Sequence, residues 1–260
     1  MLPIERLLAI VQTLRSPERG CPWDCQQTFD SIAPHTLEET YEVLDAIQRE
    51  DIDDLRAELG DLLFQILFFA QIAKEQQQFD FYAVCDAISD KLVRRHPHIF
   101  NGGEATTPEQ VADNWEKIKT TERAQKGQHS ALDDIPLSLP ALMRAQKIQQ
   151  RCRHRGFDWQ TVEPVLEKVH EEINEVIFEA NQEIRDQQKL EEEVGDLLFA
   201  TVNFARHLEV NAEMALQRAS NKFERRFRQV EEIINTQGKT LSDATFEEME
   251  NAWQQVKSSE

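Results

Sequence analysis

The chain carries the same arrangement of motifs twice, and this duplication constrains its fold more than any other feature. Residues 58–64 read ELGDLLF and residues 193–199 read EVGDLLF. Four further pairs of similar segments flank these two in the same order: GCPWD (20–24) with GFDW (156–159), LEETYEVLDA (37–46) with HEEINEVIFEA (170–180), SDKLVRR (89–95) with SNKFERR (220–226), and DNWEKIK (113–119) with NAWQQVK (251–257). Five matches in one order are very improbable by chance, so we interpret the chain as a tandem duplication.

A polar segment separates the two copies. GQHSALDDIPLSLP (127–140) contains two prolines and breaks the helical periodicity on either side of it. We therefore predict an N-terminal module at residues 1–123, a linker at 124–136 and a C-terminal module at 137–260. Each copy, at about 130 residues, is long enough to bury a core of its own.

The pattern of apolar residues within each copy is helical. Apolar positions recur at a helical spacing, and no stretch shows the sustained alternation of a strand, which predicts an all-α fold of two helical-bundle modules. Gly (8) and Pro (9) are scarce in the 260 residues, which also favours helices. The predicted helices cover residues 4–14, 37–48, 53–74, 82–95 and a segment after Pro108 in the first copy, and residues 141–153, 163–184, 187–208, 211–236 and 245–257 in the second.

Charge and hydropathy disfavour several classes of partner. The formal net charge is −19, which repels nucleic acids and anionic membranes. No apolar run reaches the roughly 18 residues that cross a bilayer, and Glu5 and Arg6 interrupt any N-terminal signal sequence. The four cysteines match no zinc-binding spacing. We therefore predict a cytoplasmic protein with reduced thiols and with neither a membrane nor a nucleic acid as partner.

Each copy holds acidic residues at a spacing that brings them together. In the second copy, Glu172 and Glu175 share one helix face, and Glu193 and Asp196 share a face of the next helix, because residues three apart are neighbours on a helix. The short turn between the two helices predicts antiparallel neighbours. Four carboxylates can then converge between them. The first copy repeats the pattern at Glu38, Glu39, Glu42, Glu58 and Asp61.

We favour a metal site over a solvated acidic surface. Both ExxD motifs continue into apolar runs, LLFQILFFA and LLFATVNFA, and an acid on an apolar face is costly unless it is paired or bound to a metal. Gly60 and Gly195 each cost about 1 kcal/mol of helix stability relative to Ala, which predicts close approach of another backbone or a ligand. Carboxylates without cysteine suit Mg²⁺, with Mn²⁺ as a substitute. A di-iron bundle needs two Glu-x-x-His pairs, and the chain has one, Glu167–His170, outside the acidic motifs.

At these residues the chain resembles the MazG family of all-α nucleoside triphosphate pyrophosphohydrolases. The EExxE motif followed by ExxD is present in both copies, and GCPWD with Gln27 and Thr28, and LPALMRAQKIQ (139–149), are also typical of the family. The resemblance spans essentially the whole chain. It implies Mg²⁺-dependent cleavage of a nucleoside triphosphate between its α and β phosphates, to a monophosphate and pyrophosphate. It also implies a homodimer, broad base specificity, and a role in cleaning the nucleotide pool or in the stress response.

The two copies differ in the charges around their acids. Lys168 and Lys189 lie one helical turn before Glu172 and Glu193, whereas the first copy has His35 and Asp54 at these positions. We therefore predict that the second copy is catalytic and that the first is weak, silent or structural. The predicted catalytic and metal-binding acids are Glu172, Glu175, Glu193 and Asp196, with a second metal set at Glu39, Glu42, Glu58 and Asp61.

The remaining predicted site residues would contact the substrate: Lys168, Glu171, Lys189, Glu192, Lys222, Arg225, Arg226 and Trp253. Two of these predictions have structural alternatives. The basic cluster on the fourth helix could cap that helix's C-terminus in the first copy, where Pro97 follows closely, but capping explains less in the second copy, where the helix continues to about Ile234. Trp253 could stack on a nucleobase or anchor the core, and the core is the commoner environment. At the level of function, the alternative is a non-catalytic nucleotide-binding or regulatory protein that keeps the fold as a dimerisation module.

Overall fold

The computed structural model describes residues 1–102 and 107–259. Within these ranges the secondary structure is helical and contains no β-strand, which confirms the predicted all-α fold. The chain divides into two compact units, unit 1 at Met1–Thr121 and unit 2 at Glu122–Glu260. No helix in the described ranges combines the length and the apolar character that a bilayer span requires.

The helices of the two units follow the same order. Those that begin in unit 1 are α1 (Pro3–Leu14), α2 (Phe29–Gln48), α3 (Ile52–Glu75), α4 (Phe81–Arg95), α5 (Pro97–Phe100) and α6 (Pro108–Gln125). Those of unit 2 are α7 (Ala141–Arg153), α8 (Glu163–Ala180), α9 (Gln187–His207), α10 (Ala212–Thr236) and α11 (Phe246–Ser258). In each unit the second and third long helices, α2 with α3 and α8 with α9, form the closest-packed pair. These two helical hairpins carry the acidic motifs.

The largest difference from the predicted helices is the start of α2. This helix begins at Phe29 rather than at residue 37, because the Thr28 hydroxyl accepts a hydrogen bond from the Ser31 N–H and caps a turn that the sequence pattern does not reveal. Pro34 lies inside the helix, where it lacks an N–H and interrupts the apolar pattern. In unit 2, α8 stops at Ala180, four residues before its predicted end at residue 184.

Apolar side chains hold each unit together. In unit 1, Val11 of α1, Ile32 of α2 and Phe68 of α3 are buried in one cluster with Leu67 and Ile72. In unit 2, Val230 and Ile234 of α10 pack against Ala252 and Val256 of α11. Polar caps fix where α3 and α9, the helices with the ExxD motifs, start. Asp51 accepts a hydrogen bond from the Asp54 N–H at the start of α3, and Asp186 caps α9 in the same way.

Candidate metal centre

Three carboxylates of unit 2 meet between α8 and α9. One oxygen each from Glu172, Glu175 and Glu193 lies within 4.8 Å of the other two. Glu172 is the most deeply placed, with 4% of its surface exposed, and its Oε2 atom has no hydrogen-bond partner among the described residues. Asp196, the fourth predicted ligand, is exposed one turn further along α9 and lies outside this group of three.

Lys168 is bound directly to this cluster. Its Nζ lies 2.6 Å from Glu172 Oε1 and donates to Glu171 Oε1 at 2.9 Å. The hydrogen bonds to Glu172 and Glu171 raise the pKa of the Lys168 ammonium above its ordinary value, so it stays charged at neutral pH. The Lys168 contact uses one oxygen of Glu172 and leaves the other available.

The electrostatics of the cluster favour a cation. A protonated Glu175 can donate a hydrogen bond to Glu172, which is the main cause that raises the pKa of Glu175, followed by lost solvation and by repulsion from Glu172 and Glu193. A divalent cation would relieve this repulsion and would satisfy the buried Glu172 Oε2. Because all the donor atoms are carboxylate oxygens, the residues fit a hard cation such as Mg²⁺ or Mn²⁺.

Two other predicted site residues on α9, Lys189 and Glu192, make no contact with the cluster within the described residues. Lys189 is exposed, and its side chain makes no ion pair or hydrogen bond within residues 1–102 and 107–259, while its backbone N–H donates to the Asp186 cap. Glu192 is exposed and accepts a hydrogen bond from Gln188. Of the two lysines predicted one helical turn before the acids, only Lys168 contacts them within the described residues.

The basic and aromatic residues of α10 and α11 form a separate group. The Trp253 ring packs 5.1 Å from the Phe223 ring, and the Arg226 guanidinium lies 6.0 Å from the Trp253 centroid. Trp253 also packs against the buried α10–α11 core. Unit 1 repeats the arrangement, with the Arg95 guanidinium 5.3 Å from the Trp115 centroid. These contacts are the ones expected if Trp253 anchors the core, the structural alternative to stacking on a nucleobase.

Unit 1 holds a similar acidic cluster with different partners. Oxygens of Glu39, Glu58 and Asp61 lie within 4.8 Å of one another, and Glu42 lies outside this group. The Gln65 amide donates to Glu39 Oε1 at 3.2 Å. Burial is the main cause that raises the pKa of Glu39, and this hydrogen bond opposes it. Lost solvation, followed by repulsion from neighbouring acids, raises the pKa of Glu58.

The charge of Asp54 is partly offset, which the sequence argument did not anticipate. Arg49 forms ion pairs with Asp54 and, at 2.7 Å, with Asp45. Asp54 still contributes to the repulsion that raises the pKa of Glu58. His35, at the position of Lys168, faces Glu38 at 3.6 Å rather than Glu39. The two units therefore differ most clearly in the partner of the central glutamate, which is Lys168 in unit 2 and Gln65 in unit 1.

One of the two predicted reasons for the glycine that recurs as Gly60 and Gly195, the close approach of another backbone, needs correction. A Cβ atom placed on either glycine would meet no atom within 4 Å. The close approach of another backbone is therefore absent from the described part of this chain. Of the two predicted reasons for Gly195, the close approach of a ligand therefore remains.

A polar network that sequence reasoning did not find lies at the far end of α9. Arg206 donates to Asp158 Oδ1 at 2.6 Å and to Asn203 Oδ1, and His207 Nε2 lies 3.0 Å from Asp158 Oδ1. The network borders a cavity of about 400 Å³ that Trp159 also lines. The Gly and Trp that GFDW (156–159) shares with GCPWD (20–24) marked this turn, but they did not indicate that Asp158 pairs with residues of α9.

A duplicated helical hairpin with a carboxylate cluster in each copy defines the class of all-α nucleotide pyrophosphohydrolases. The MazG nucleotide pyrophosphohydrolase domain matches residues 27–100 and 160–231, and the chain belongs to this family. It is 65% identical over 260 residues to a nucleoside triphosphate pyrophosphohydrolase of Escherichia coli (strain K12), covering 100% of this chain and 99% of the relative. It is 41% identical over 253 residues to the nucleoside triphosphate pyrophosphohydrolase/pyrophosphatase MazG of Thermotoga maritima, covering 97% and 95%. The predicted family and enzyme class are confirmed.

Proposed function

We propose that the chain hydrolyses nucleoside triphosphates between the α and β phosphates, releasing a nucleoside monophosphate and pyrophosphate, with Mg²⁺ as cofactor. The observation that carries the proposal is the cluster of Glu172, Glu175 and Glu193 with Lys168 bound to its edge. The names of the E. coli and T. maritima relatives support the substrate class and the products.

The acids of unit 2 would hold the metal. Glu172, Glu175 and Glu193 supply converging oxygens, and Asp196 stands one turn away on the same helix face as Glu193. When bound there, Mg²⁺ supplies charge to the phosphate oxygens and lowers the pKa of a coordinated water. The buried, unpartnered Glu172 Oε2 supports this assignment.

The chain's own side chains have separate roles in this proposal. Glu175 belongs to the acidic cluster and is not held by Lys168, so its carboxylate can take the proton of the attacking water. Lys168 holds Glu172 in place and adds positive charge beside the polyanionic substrate. Exposed Lys189 and Lys222 make no ion pair within the described ranges, which leaves both ammonium groups available to phosphate oxygens.

Catalysis is proposed for the C-terminal module, residues 137–260. In this proposal the N-terminal module, residues 1–123, is weakly active or structural, and residues 124–136 are the linker. Unit 2 has a lysine on its central glutamate, whereas unit 1 has a neutral amide there. A cation beside the acids lowers the cost of bringing a triphosphate to them, and a neutral amide does not. This difference in charge supports unequal activity.

A homodimer is proposed from the exposed apolar side chains of unit 2. Ile177 and Phe178 on α8, Leu198 on α9 and Phe223 on α10 are each more than half exposed. Large exposed apolar side chains mark surfaces that associate.

The four acids and Lys168 are proposed to act on the phosphates that all nucleoside triphosphates share. This supports broad base specificity and a role in cleaning the nucleotide pool.

Product analysis tests the proposed reaction. The chain is incubated with Mg²⁺ and each of the eight common ribo- and deoxyribonucleoside triphosphates, and pyrophosphate is separated from orthophosphate. We expect a monophosphate and pyrophosphate in equal amounts. Orthophosphate with a diphosphate would indicate an ordinary phosphatase, and binding without product would support the non-catalytic alternative.

A further inference from the structure

The cavity of about 400 Å³ in unit 2 lies between α7, the turn that follows it, and α9. Its volume falls within the range of about 300–1,000 Å³ that is typical of small-molecule sites. Among the described residues, neither the four acids nor Lys168 line this α7–α9 cavity. The acidic cluster lies between α8 and α9, and Asn203 on the cavity wall is about 15 Å further along α9 than Glu193. The cavity is therefore separate from the metal centre.

Two buried amide side chains on the cavity wall each keep one polar atom without a partner. Gln149 is 7% exposed and donates from Nε2 to the Phe199 carbonyl at 2.8 Å, which fixes the orientation of its amide. Its Oε1 atom is buried and accepts no hydrogen bond from the described residues. Asn203 is 8% exposed, and its Oδ1 accepts two hydrogen bonds from Arg206, which leaves Nδ2 without an acceptor in the same part of the chain. The wall thus offers a fixed acceptor and a fixed donor.

The first copy has an aromatic ring at the equivalent position. Aligning ELGDLLF with EVGDLLF places Phe68 of α3 at the position of Asn203. Phe68 is fully buried in the apolar cluster of unit 1. An asparagine at a buried position costs free energy unless its polar atoms are paired, and Arg206 pairs only the Oδ1 atom. The second copy therefore has a polar wall where the first copy has core packing.

Aromatic side chains supply other walls of the cavity. Phe157 is 83% exposed, and Trp159 and Phe199 are also exposed. Exposed rings beside a cavity offer flat apolar surfaces on which a planar ligand can stack. The Arg206 guanidinium at the polar end is already paired with Asp158, so it does not require an anionic ligand. The lining therefore suits an uncharged planar ring that carries an N–H donor beside an acceptor.

We propose that the α7–α9 cavity is a second ligand site, distinct from the metal centre, which binds the base of an uncharged nucleoside. Each common nucleobase carries an N–H group beside an acceptor on one edge, which matches Gln149 Oε1 and Asn203 Nδ2. For adenine, the amino group donates to Gln149, a ring nitrogen accepts from Asn203, and the face of the ring stacks on Trp159. This ligand gives both amide atoms a partner, as native proteins do for nearly all buried polar groups.

Adenosine binding to the full chain in EDTA tests the site without Mg²⁺ and without turnover. Equilibrium dialysis measures the bound adenosine, and we expect one molecule per chain. Trp159→Ala should weaken binding about tenfold or more, because stacking on an aromatic ring contributes that much. Trp23→Ala, at the same position in the first copy, is the matched control and should leave the affinity unchanged. Purine riboside, which lacks the amino group, should bind about tenfold more weakly than adenosine, because Gln149 Oε1 then has no donor.

A variant that fills the cavity gives an independent test. Cys152→Phe places a ring inside the cavity and should abolish adenosine binding, whereas Cys85→Phe, at a half-buried cysteine of unit 1, should not. Glu193→Gln should bind adenosine as tightly as the wild-type chain, because the acids do not line the cavity. Thermal melting shows that each variant is folded. The comparison of adenosine with purine riboside needs no variant and decides the matter if the variants unfold.

Three results would overturn the proposal: no bound adenosine, equal affinity for adenosine and purine riboside, or equal losses in Trp159→Ala and Trp23→Ala. If Trp159→Ala raises the KM for ATP by the same factor as it weakens adenosine, the cavity holds the base of the substrate and the claim of a second site is wrong. Adenosine binding without pyrophosphate release from the wild-type chain would instead contradict the proposed function alone.

Discussion

The Nζ atom of Lys168 lies 2.6 Å from Oε1 of Glu172, one helical turn further along α8. Within residues 1–102 and 107–259, Lys168 is the only lysine in contact with the acidic cluster of unit 2. Its partner Glu172 is the most buried acid of that cluster. It fixes which oxygen of Glu172 remains available. It also supplies positive charge at the edge of the cluster.

Removal of Lys168 is expected to slow the reaction. Hydrogen bonds to charged groups contribute about 1.5–3 kcal/mol, which corresponds to a decrease of about 10- to 100-fold in kcat/KM for Lys168→Met. Steady-state kinetics of pyrophosphate release measures the change. Lys189→Met is the comparison variant, because Lys189 is proposed to contact phosphate but makes no contact with Glu172 within the described ranges. We expect it mainly to raise KM, whereas Lys168→Met should also lower kcat, and an unchanged kcat for Lys168→Met would show that the contact with Glu172 has no special role.

Glu175→Gln should separate stability from activity. Because the folded state raises the pKa of Glu175, the ionised carboxylate destabilises the metal-free fold as the pH rises through that pKa. The amide cannot ionise, so the melting temperature in EDTA should rise at pH 7 and stay unchanged well below pH 4. Pyrophosphate release should fall about 100-fold or more, as expected for loss of a proton acceptor. A lower melting temperature at pH 7 would contradict the electrostatic account.

Gly195→Ala tests whether open space above the helix is used by a ligand. Ala is more favourable than Gly inside a helix by about 1 kcal/mol, and no atom lies within 4 Å of the added Cβ. Chemical denaturation should therefore show a more stable chain, with Gly60→Ala as the control in unit 1. If a ligand approaches α9 here, the stabilised Gly195 variant loses activity while the Gly60 variant keeps it. Full activity of both would remove the ligand explanation for Gly195.

The ion pair of Asp158 with Arg206 should make unit 2 sensitive to acid. Burial opposes ionisation of Asp158, but the hydrogen bonds from Arg206 and His207 outweigh it and lower the pKa of the carboxyl. The resulting stability is present above the unfolded-state pKa of about 4 and is lost as the pH falls through the lower folded-state value. Asp158→Asn should cost about 3 kcal/mol at pH 7, because it leaves the buried Arg206 charge without its counter-ion. Urea unfolding at pH 7 and pH 3 measures this, and a loss of equal size at both pH values would contradict the account.

Local patterns predicted much of the fold and the core of the site. The helical spacing of apolar residues gave α3, α7, α9 and α11 nearly to their ends, and the i, i+3 spacing of Glu172 and Glu175 gave their shared face. The contacts that distinguish the copies were not readable. Gln65 and Glu39 are 26 residues apart, and Arg206 and Asp158 are 48 apart. Such pairs depend on how the helices pack against each other. The local periodicity of the sequence does not predict contacts between residues so far apart.

The central claim is that unit 2, and not unit 1, carries out the hydrolysis. Glu193 and Glu58 occupy the same position in the two copies, and each belongs to a cluster of three acids. Pyrophosphate release by Glu193→Gln is compared with that by Glu58→Gln in the full chain at saturating Mg²⁺. The account predicts a loss of about 100-fold or more for Glu193→Gln and less than about threefold for Glu58→Gln. Equal losses, or a larger loss for Glu58→Gln, would contradict it.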